Sequence, residues 1–519
     1  MVSSIVVNIY KYGKALILEH PALFIAICTI IAVYHVSSSA SKHEPVRAPT
    51  VKFFGPDIIS RLLFNVKAST LIYRGYRKYK DTAYRLLKAE DNLIVLPTRY
   101  INELKHLPAS KLNSLDATFS NVAGDYIQLN VDSQLPAETV QKRLTPAIGR
   151  ILPRMIDELR YAFEVEFPKC EDEWVAIQPY KIILRLVARS STRVFLGETV
   201  CRNEEFLDAM TSYSLNLFKT VALLRPFPEF SRPLVAKLLP SYRTLRRQLN
   251  FAQGIFMPIL QQRRAAESAG DAGYEKPDDF LQWMLDLVDN EKDANPRFFA
   301  HHFLQLLGLA VSHTSTMAMT HIIYDLAMMP EYLEPLRNEI REALPDGWEN
   351  ASQSALHKLK RLDSFMKESQ RCNPPGHLSF HRIVKEPITL SDGLELPKGT
   401  HVCMASGPIG MDPEIVQDPH VFDGFRYFRE NKSTSSFTST GPTSVHFGIG
   451  RHSCPGRFFA ADSIKAILSR ILLDYDFKFE QDQIRRPKNT VFGDAIVPNT
   501  TVRVLFRKRR EAISPATNA

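Results

Sequence analysis

From Glu138 to about Lys367, apolar residues recur every third or fourth position in long runs, the period of helices that bury one face. Pro226, Pro228, Pro233 and Pro240 cut this texture into pieces between Leu224 and Ser241. The run at about Phe298–Met329 predicts one long helix, apolar from Phe303 apart from a short polar insert. Ahead of this block, Tyr73–Lys88 reads as an amphipathic helix, and Asp91–Leu96, closed by Pro97, as a strand. After Pro374 the texture changes. Ile383–Leu390, Ser391-Asp392-Gly393 and Leu394–Leu396 predict a hairpin around an aspartate-glycine turn. Helical spacing returns from Phe458 to Leu473. The fold class is mainly α with small peripheral β-sheets.

A different apolar run stands at the N-terminus. Ala15–Val36 is mostly apolar and densest over Ala22–Ile31, with Glu19, His20 and Pro21 interrupting its front. The uninterrupted part falls short of the ~20 residues of a spanning helix unless Ala15–Leu18 joins it. Lys11 and Lys14 before it and Ser37–Ser41 after it also suit a cleavable secretory signal. Cysteine usage favours retention. The six cysteines, at 28, 170, 201, 372, 403 and 454, show neither C-x-x-C spacing nor a disulfide framework, which fits a reducing compartment. The expected organisation is therefore a membrane anchor over 1–40, a stiff linker over 41–55 carrying Pro45 and Pro49, and one large unit over 56–519. Lys11 and Lys14 on one side and Lys42, Arg47 and Lys52 on the other do not orient the anchor.

At 519 residues, 45% hydrophobic and 23% charged, the chain can bury a large core, and no repeat or linker divides it beyond residue 55. The net charge of +9 includes a basic tail (Arg503, Arg507, Lys508, Arg509, Arg510) without the motifs of a nucleic-acid binder.

The densest chemistry lies in Phe447-Gly-Ile-Gly-Arg-His-Ser-Cys-Pro-Gly456. Cys454 sits between glycines and a proline, with Arg451, His452 and Arg457 beside it. Such a loop can aim backbone N–H groups and cations at a thiolate and let the backbone approach a flat cofactor closely. An inert cysteine in a glycine-rich turn is the plainer alternative. Phe447, Gly450, Cys454 and Gly456 carry the F-x-x-G-x-x-x-C-x-G pattern, and the chain resembles the cytochrome P450 family, over essentially everything beyond residue 55 and most densely from 300 to 460.

The resemblance implies haem b between the 298–329 helix and the cysteine loop, with Cys454 as axial ligand of the iron. It also implies O2 as co-substrate and electrons from a separate NADPH-dependent reductase, and the chain has no G-x-G-x-x-G of its own. Glu368 and Arg371, three apart on one helical face, would join Arg426 in a structural triad. Ala310, Thr314 and Ser315 match the family's oxygen-activating segment. Val311 and His313 stand where glycine and an acid are usual, so His313 is a candidate proton relay beside a catalytic Thr314. The alternatives are a hydroxyl of Thr314 bonded back to the preceding turn and a simply hydrogen-bonded His313.

Arg382 and His452 match propionate-binding positions. Lys142 or Arg143 would stand in for a third, because Val140–Pro146 lacks the family's tryptophan. His377 and His381 are four apart but follow two prolines and lack a general-base glutamate, which argues against a zinc protease. The pocket would be lined by Leu306, Leu307 and Ala310, by His377–Phe380 and by Phe492–Val497, all largely apolar. The implied activity is monooxygenation of a bulky lipophilic substrate, as in fungal members that tailor terpenoids and related secondary metabolites. The implied location is the endoplasmic-reticulum membrane, single-pass, with the catalytic domain in the cytosol. A haem-thiolate isomerase or dehydratase, or a non-catalytic haem sensor, is the competing reading.

Overall fold

Helix α1 (Asp57–Lys78) follows the extended Pro56, carries Asp57 in its first turn and Arg77 and Lys78 in its last, and so complements its own dipole at both ends. The computed structural model describes residues 46–509, except 89–90, 123–132, 226, 228, 271–272 and 481–484. The helix expected at Tyr73–Lys88 is the tail of α1 only as far as Lys78. Beyond a turn the chain runs extended as β2 (Tyr84–Leu87). Tyr84 and Leu86 bury against α1, on a sheet face that a short window of sequence does not separate from a helix face.

That sheet has six strands in the order β1-β2-β3-β9-β6-β4. The others are β1 (Thr50–Val51), β3 (Asn92–Val95), β4 (Leu112–Asn113), β6 (Ser379–Val384) and β9 (His401–Met404). Part of the expected linker is thus built into the fold. β1 pairs parallel with β2, the Arg85 N–H donates to the Pro49 carbonyl at 2.8 Å, and Val46 is buried. Of the hairpin expected over Ile383–Leu390 and Leu394–Leu396 only the turn end is present, with β7 (Ile388–Thr389) antiparallel to β8 (Glu395–Leu396) and Gly393 at φ 83° in the turn, because Ile383 and Val384 pair instead within β6. Three further strands matter little here, β5 (Val175–Ile177), β10 (Tyr475–Lys478) and β13 (Val504–Lys508), which form a separate sheet. A last pair, β11 (Thr490–Phe492) and β12 (Ala495–Val497), bridges to Gly376.

The helical block folds as α2 (Thr145–Glu166), α3 (Pro179–Leu196), α4 (Glu204–Leu224), α5 (Arg232–Leu238) and α6 (Pro240–Ala269). Pro233 and Pro240 lie in the first turns of α5 and α6, where a missing N–H costs nothing. The long helix over 296–328 is continuous but not uniform. α7 (Pro296–Gln305) passes through a π-helical segment, Leu306–Val311, into α8 (Ser312–Met328). α9 (Lys360–Cys372) and α10 (Arg457–Asp474) complete the frame.

One core joins α2, α3, α4, α7, α8 and α10 through residues such as Phe195, Phe206, Phe303, Leu307, Met319 and Ile467. Fully burying each such side chain stabilises by roughly 1.5–3 kcal/mol. A second core lies under the sheet and includes Val445 and Ile449, which fasten the cysteine loop to Val402 and Met404. Among the described residues no helix is long and apolar enough to cross a membrane. The run expected as an anchor, within 1–40, lies outside the described residues.

Candidate functional site

The cysteine loop is shaped by its glycines. Gly448 and Gly450 have φ of 70° and 72°, where a side chain is strained, and a Cβ on Gly450 would come within 2.3 Å of the Lys105 carbonyl oxygen. The loop closes when the Cys454 N–H donates to the Phe447 carbonyl at 2.7 Å. Phe447 meets Phe437 edge-on at 5.3 Å. α10 begins at Arg457, so Cys454 stands just before a helix N-terminus. The N–H groups of Gly456 and Arg457 bond towards its sulfur, and the Arg457 guanidinium donates to the Cys454 carbonyl at 2.8 Å. Among the described cysteines only Cys454 is exposed. Surrounding protein still pushes its thiol up, against the pull of those N–H groups and of Arg457. Burial drives the thiols of Cys201 and Cys372 to about 12, which leaves them inert.

The 296–328 helix shows the opposite contrast. Leu307, Gly308, Ser312, His313, Ser315 and Thr316 are buried, whereas Ala310 and Thr314, one turn apart, are exposed. Thr314 therefore lies on the one open face of this stretch and Ser315 does not. The Thr314 hydroxyl donates to the Ala310 carbonyl at 2.5 Å, the back-bond of a helical threonine. His313 points elsewhere. Its Nε2 is 2.8 Å from the Thr211 carbonyl oxygen and its Nδ1 is 2.7 Å from the Tyr180 hydroxyl. A carbonyl only accepts, so Nε2 carries the proton and Nδ1 accepts from Tyr180. Burial lowers its pKa, and both nitrogens are engaged away from Thr314.

Arg382 is a buried cation on β6. It donates to the His381 carbonyl at 2.8 Å, lies over the Phe380 ring at 4.4 Å and, among the described residues, has no carboxylate partner. Burial brings its pKa down to about 10. His452 is its neighbour: burial, then the charges of Arg382 and Arg451, push the imidazole down to about 4, and its Nε2 is buried without a partner. Lys142 and Arg143 are both exposed, with Lys142 paired to Glu138 at 2.6 Å.

Behind the loop, Glu368 and Arg371 form a two-pronged pair, Nε to Oε2 at 2.8 Å and Nη2 to Oε1 at 2.7 Å. Arg426 reaches the same carboxylate at 3.3 Å. Glu368 is fully buried. Arg371 also clamps the carbonyls of Gly410 (2.9 Å) and Pro419 (2.7 Å), so the triad ties α9 to the segment leading into the cysteine loop.

The family model for cytochrome P450 matches residues 140–506. The chain belongs to the cytochrome P450 family. It is 53% identical over 495 residues to cytochrome P450 monooxygenase penP of Penicillium crustosum, covering 95% of this chain and 96% of that protein. It is 52% identical over 498 residues to AtmP of Aspergillus flavus, also a cytochrome P450 monooxygenase, with 95% and 96% covered. The solved structure of cyanobacterial CYP120A1 with retinoic acid has the same fold, at a TM-score of 0.68 and 16% identity over 90% of this chain and all of that one. This P450 is a haem-dependent monooxygenase that uses O2 and NADPH-derived electrons supplied by a reductase.

The residues present fit a haem. Cys454 offers an exposed sulfur under two N–H donors, and a Cβ on Gly456 would meet nothing within 4 Å. Arg382 and the unpartnered His452 Nε2 offer a cationic, donor-rich spot suited to propionate.

Sequence patterns missed the partners of His313. Tyr180 and Thr211 lie 133 and 102 residues away, and no spacing rule reaches that far. They also missed the use of His381, whose Nδ1 is 3.1 Å from His401 Nε2, with His401 Nδ1 in turn 3.0 Å from Asp91.

Proposed function

We propose that Cys454 binds the haem iron, Arg382 and His452 hold its propionates, and Thr314 is the hydroxyl on the oxygen side. When bound, the haem supplies the activation of O2 with two electrons from NADPH. The chain's own part is positional. The N–H groups of Gly456 and Arg457 favour the anionic sulfur, and Glu368, Arg371 and Arg426 keep the loop in place. Thr314 Oγ1 stands on the open face with its proton on the Ala310 carbonyl, which fixes its rotamer, and it would give a proton to that face by turning out of this bond. The observation that carries this reading is exposure: Cys454 is the one exposed cysteine among the described residues, and Thr314 bears the one exposed hydroxyl in α8's first turn. The test is the absorbance of the reduced carbonyl complex in Cys454→Ser against Cys372→Ser and Cys403→Ser. Only the first should lose the thiolate-type band.

The substrate we propose is a bulky lipophilic molecule, a terpenoid or related secondary metabolite. Of the residues expected to line the pocket, Leu307, Leu378 and Phe380 are packed in the cores, while the partly buried Leu306, one turn before the exposed Ala310, supports recognition by shape with few polar contacts. Titrating the holoenzyme with a panel of terpenoids and, separately, fatty acids should give haem spectral shifts with the first set at lower concentration.

We also propose anchoring in the endoplasmic-reticulum membrane through 1–40, with the catalytic domain in the cytosol. Exposed apolar side chains on the folded part support contact with a lipid surface: Phe54, Leu62 and Val66 beside or on α1, and Phe230, Leu234 and Leu238 at α5. Alkaline-carbonate extraction of microsomes should leave the full chain in the pellet and release a chain lacking 1–40.

A further inference from the structure

The π-helical segment Leu306–Val311 ends two residues before His313, and α4 presses on it from the buried side. A Cβ on Gly308 would lie 2.8 Å from the Met210 carbonyl oxygen, so α4 approaches as closely as glycine permits. The next carbonyl along α4, that of Thr211, takes the Nε2 proton of His313. Tyr180, in the first turn of α3, donates to the other nitrogen. Ser312 donates from its hydroxyl to the Leu307 carbonyl at 2.6 Å, five residues back, and satisfies the widened turn from within. The first three side chains of α8 thus fix the turn: Ser312 inward, His313 outward to two other helices, Thr314 back to Ala310.

We propose that His313 is a positioning residue, a strut between α3, α4 and the π-turn that sets the placement of the Thr314 hydroxyl. A π-turn places an extra residue in the helix, is rare, and bends the helix axis, so ties from outside the helix help to hold it in place. The neutral imidazole suits this task because it presents one donor and one acceptor on opposite edges, which a carboxylate does not. The inference rests on the assignment of Thr314 to the oxygen side for its functional consequence, but not for the tie itself.

Two measurements on the purified holoenzyme separate these. Hydrogen exchange of the 306–316 amides reads the tie directly. In His313→Leu exchange there should accelerate about tenfold, the loss of roughly one net hydrogen bond, while α10 stays unchanged. His313→Gln, which keeps a donor for Thr211, should restore most of the protection. Tyr180→Phe, a gentler change should the leucine variant fold poorly, should accelerate exchange about two- to threefold. The second measurement uses O2, NADPH and a purified reductase without organic substrate, and scores hydrogen peroxide released per NADPH oxidised. That ratio should rise in His313→Leu towards its value in Thr314→Ala, and adding His313→Leu to Thr314→Ala should raise it no further.

Unchanged exchange over 306–316 overturns the strut. Faster exchange with an unaltered peroxide ratio, in a protein where Thr314→Ala does raise it, also overturns the proposal and leaves His313 as packing. If Thr314→Ala itself leaves the ratio unchanged, the oxygen-side assignment of Thr314 fails, and the exchange data alone judge the strut.

Discussion

A single side chain acquires its role here from what its neighbours leave undone. Cys372 and Cys454 are both hydrogen-bonded near arginines, yet Cys372 is enclosed and its thiol is pushed up to about 12, whereas Cys454 keeps an open sulfur at the head of α10. On the proposed ligation, Cys454→Ser would replace a soft ligand with a poor one and should abolish the thiolate-type spectrum while leaving the fold intact. Thr314→Ala keeps the helix, because its hydroxyl bonds only to a carbonyl of its own helix, and should bind haem and lipophilic ligands normally. With substrate present it should yield roughly a hundredfold less product per NADPH, the low end of what a positioned proton donor contributes. Thr314→Ser should recover most of that. Equal coupling in all three proteins would remove Thr314 from the reaction.

Elements are where sequence patterns spoke most clearly and also where they failed. Helix α10, the 388–396 hairpin and the long 296–328 helix follow from periodicity and turn chemistry alone, because each buries its face against neighbours that such patterns presuppose. β1 and β2 did not, since Thr50–Val51 and Tyr84–Leu87 are too short to show a period and owe their extended form to pairing, β1 with β2 and β2 also with β3. The triad was legible as residue types at a family spacing. What Arg371 does with the Gly410 and Pro419 carbonyls was not, for backbone acceptors leave no mark in a sequence. Those contacts set the size of the next effect. Glu368→Ala strands two cations in a buried site and should cost roughly 3–5 kcal/mol, seen as haem loss and a lower unfolding midpoint. Gly450→Val should do comparable damage by another route, since its Cβ would collide with the Lys105 backbone and its φ of 72° disfavours any branched residue. Wild-type haem content in either variant would contradict the account of how the loop is held.

At the scale of the whole molecule, the helical core contains histidines that it can hold only in the neutral form. His302 is 2% exposed, with Phe298 edge-on at 4.0 Å, and burial lowers its pKa to about 4 despite Asp293 nearby. Burial and the charges of Lys367 and Arg371 do the same to His446 behind the cysteine loop, also to about 4. An ordinary histidine titrates at 6.5, so between about pH 6.5 and about pH 4 the unfolded chain binds protons that the folded one refuses. Stability is therefore full above about pH 6.5 and falls as the pH drops through that window. Asp325 and Glu339 work in the opposite sense, because burial raises their carboxyl pKa values and acid favours the fold there, so the net acid slope mixes both kinds of group. A single substitution isolates one of them. The His302 Nε2 has no hydrogen-bond partner to lose, so His302→Gln removes the titration without breaking a polar contact at that atom. Its loss of stability from pH 7 to pH 5, read from urea midpoints of the holoenzyme, should be smaller than the wild type's by about 2 kcal/mol. An acid loss equal to the wild type's would show that His302 takes up its proton in the folded state as readily as in the unfolded one.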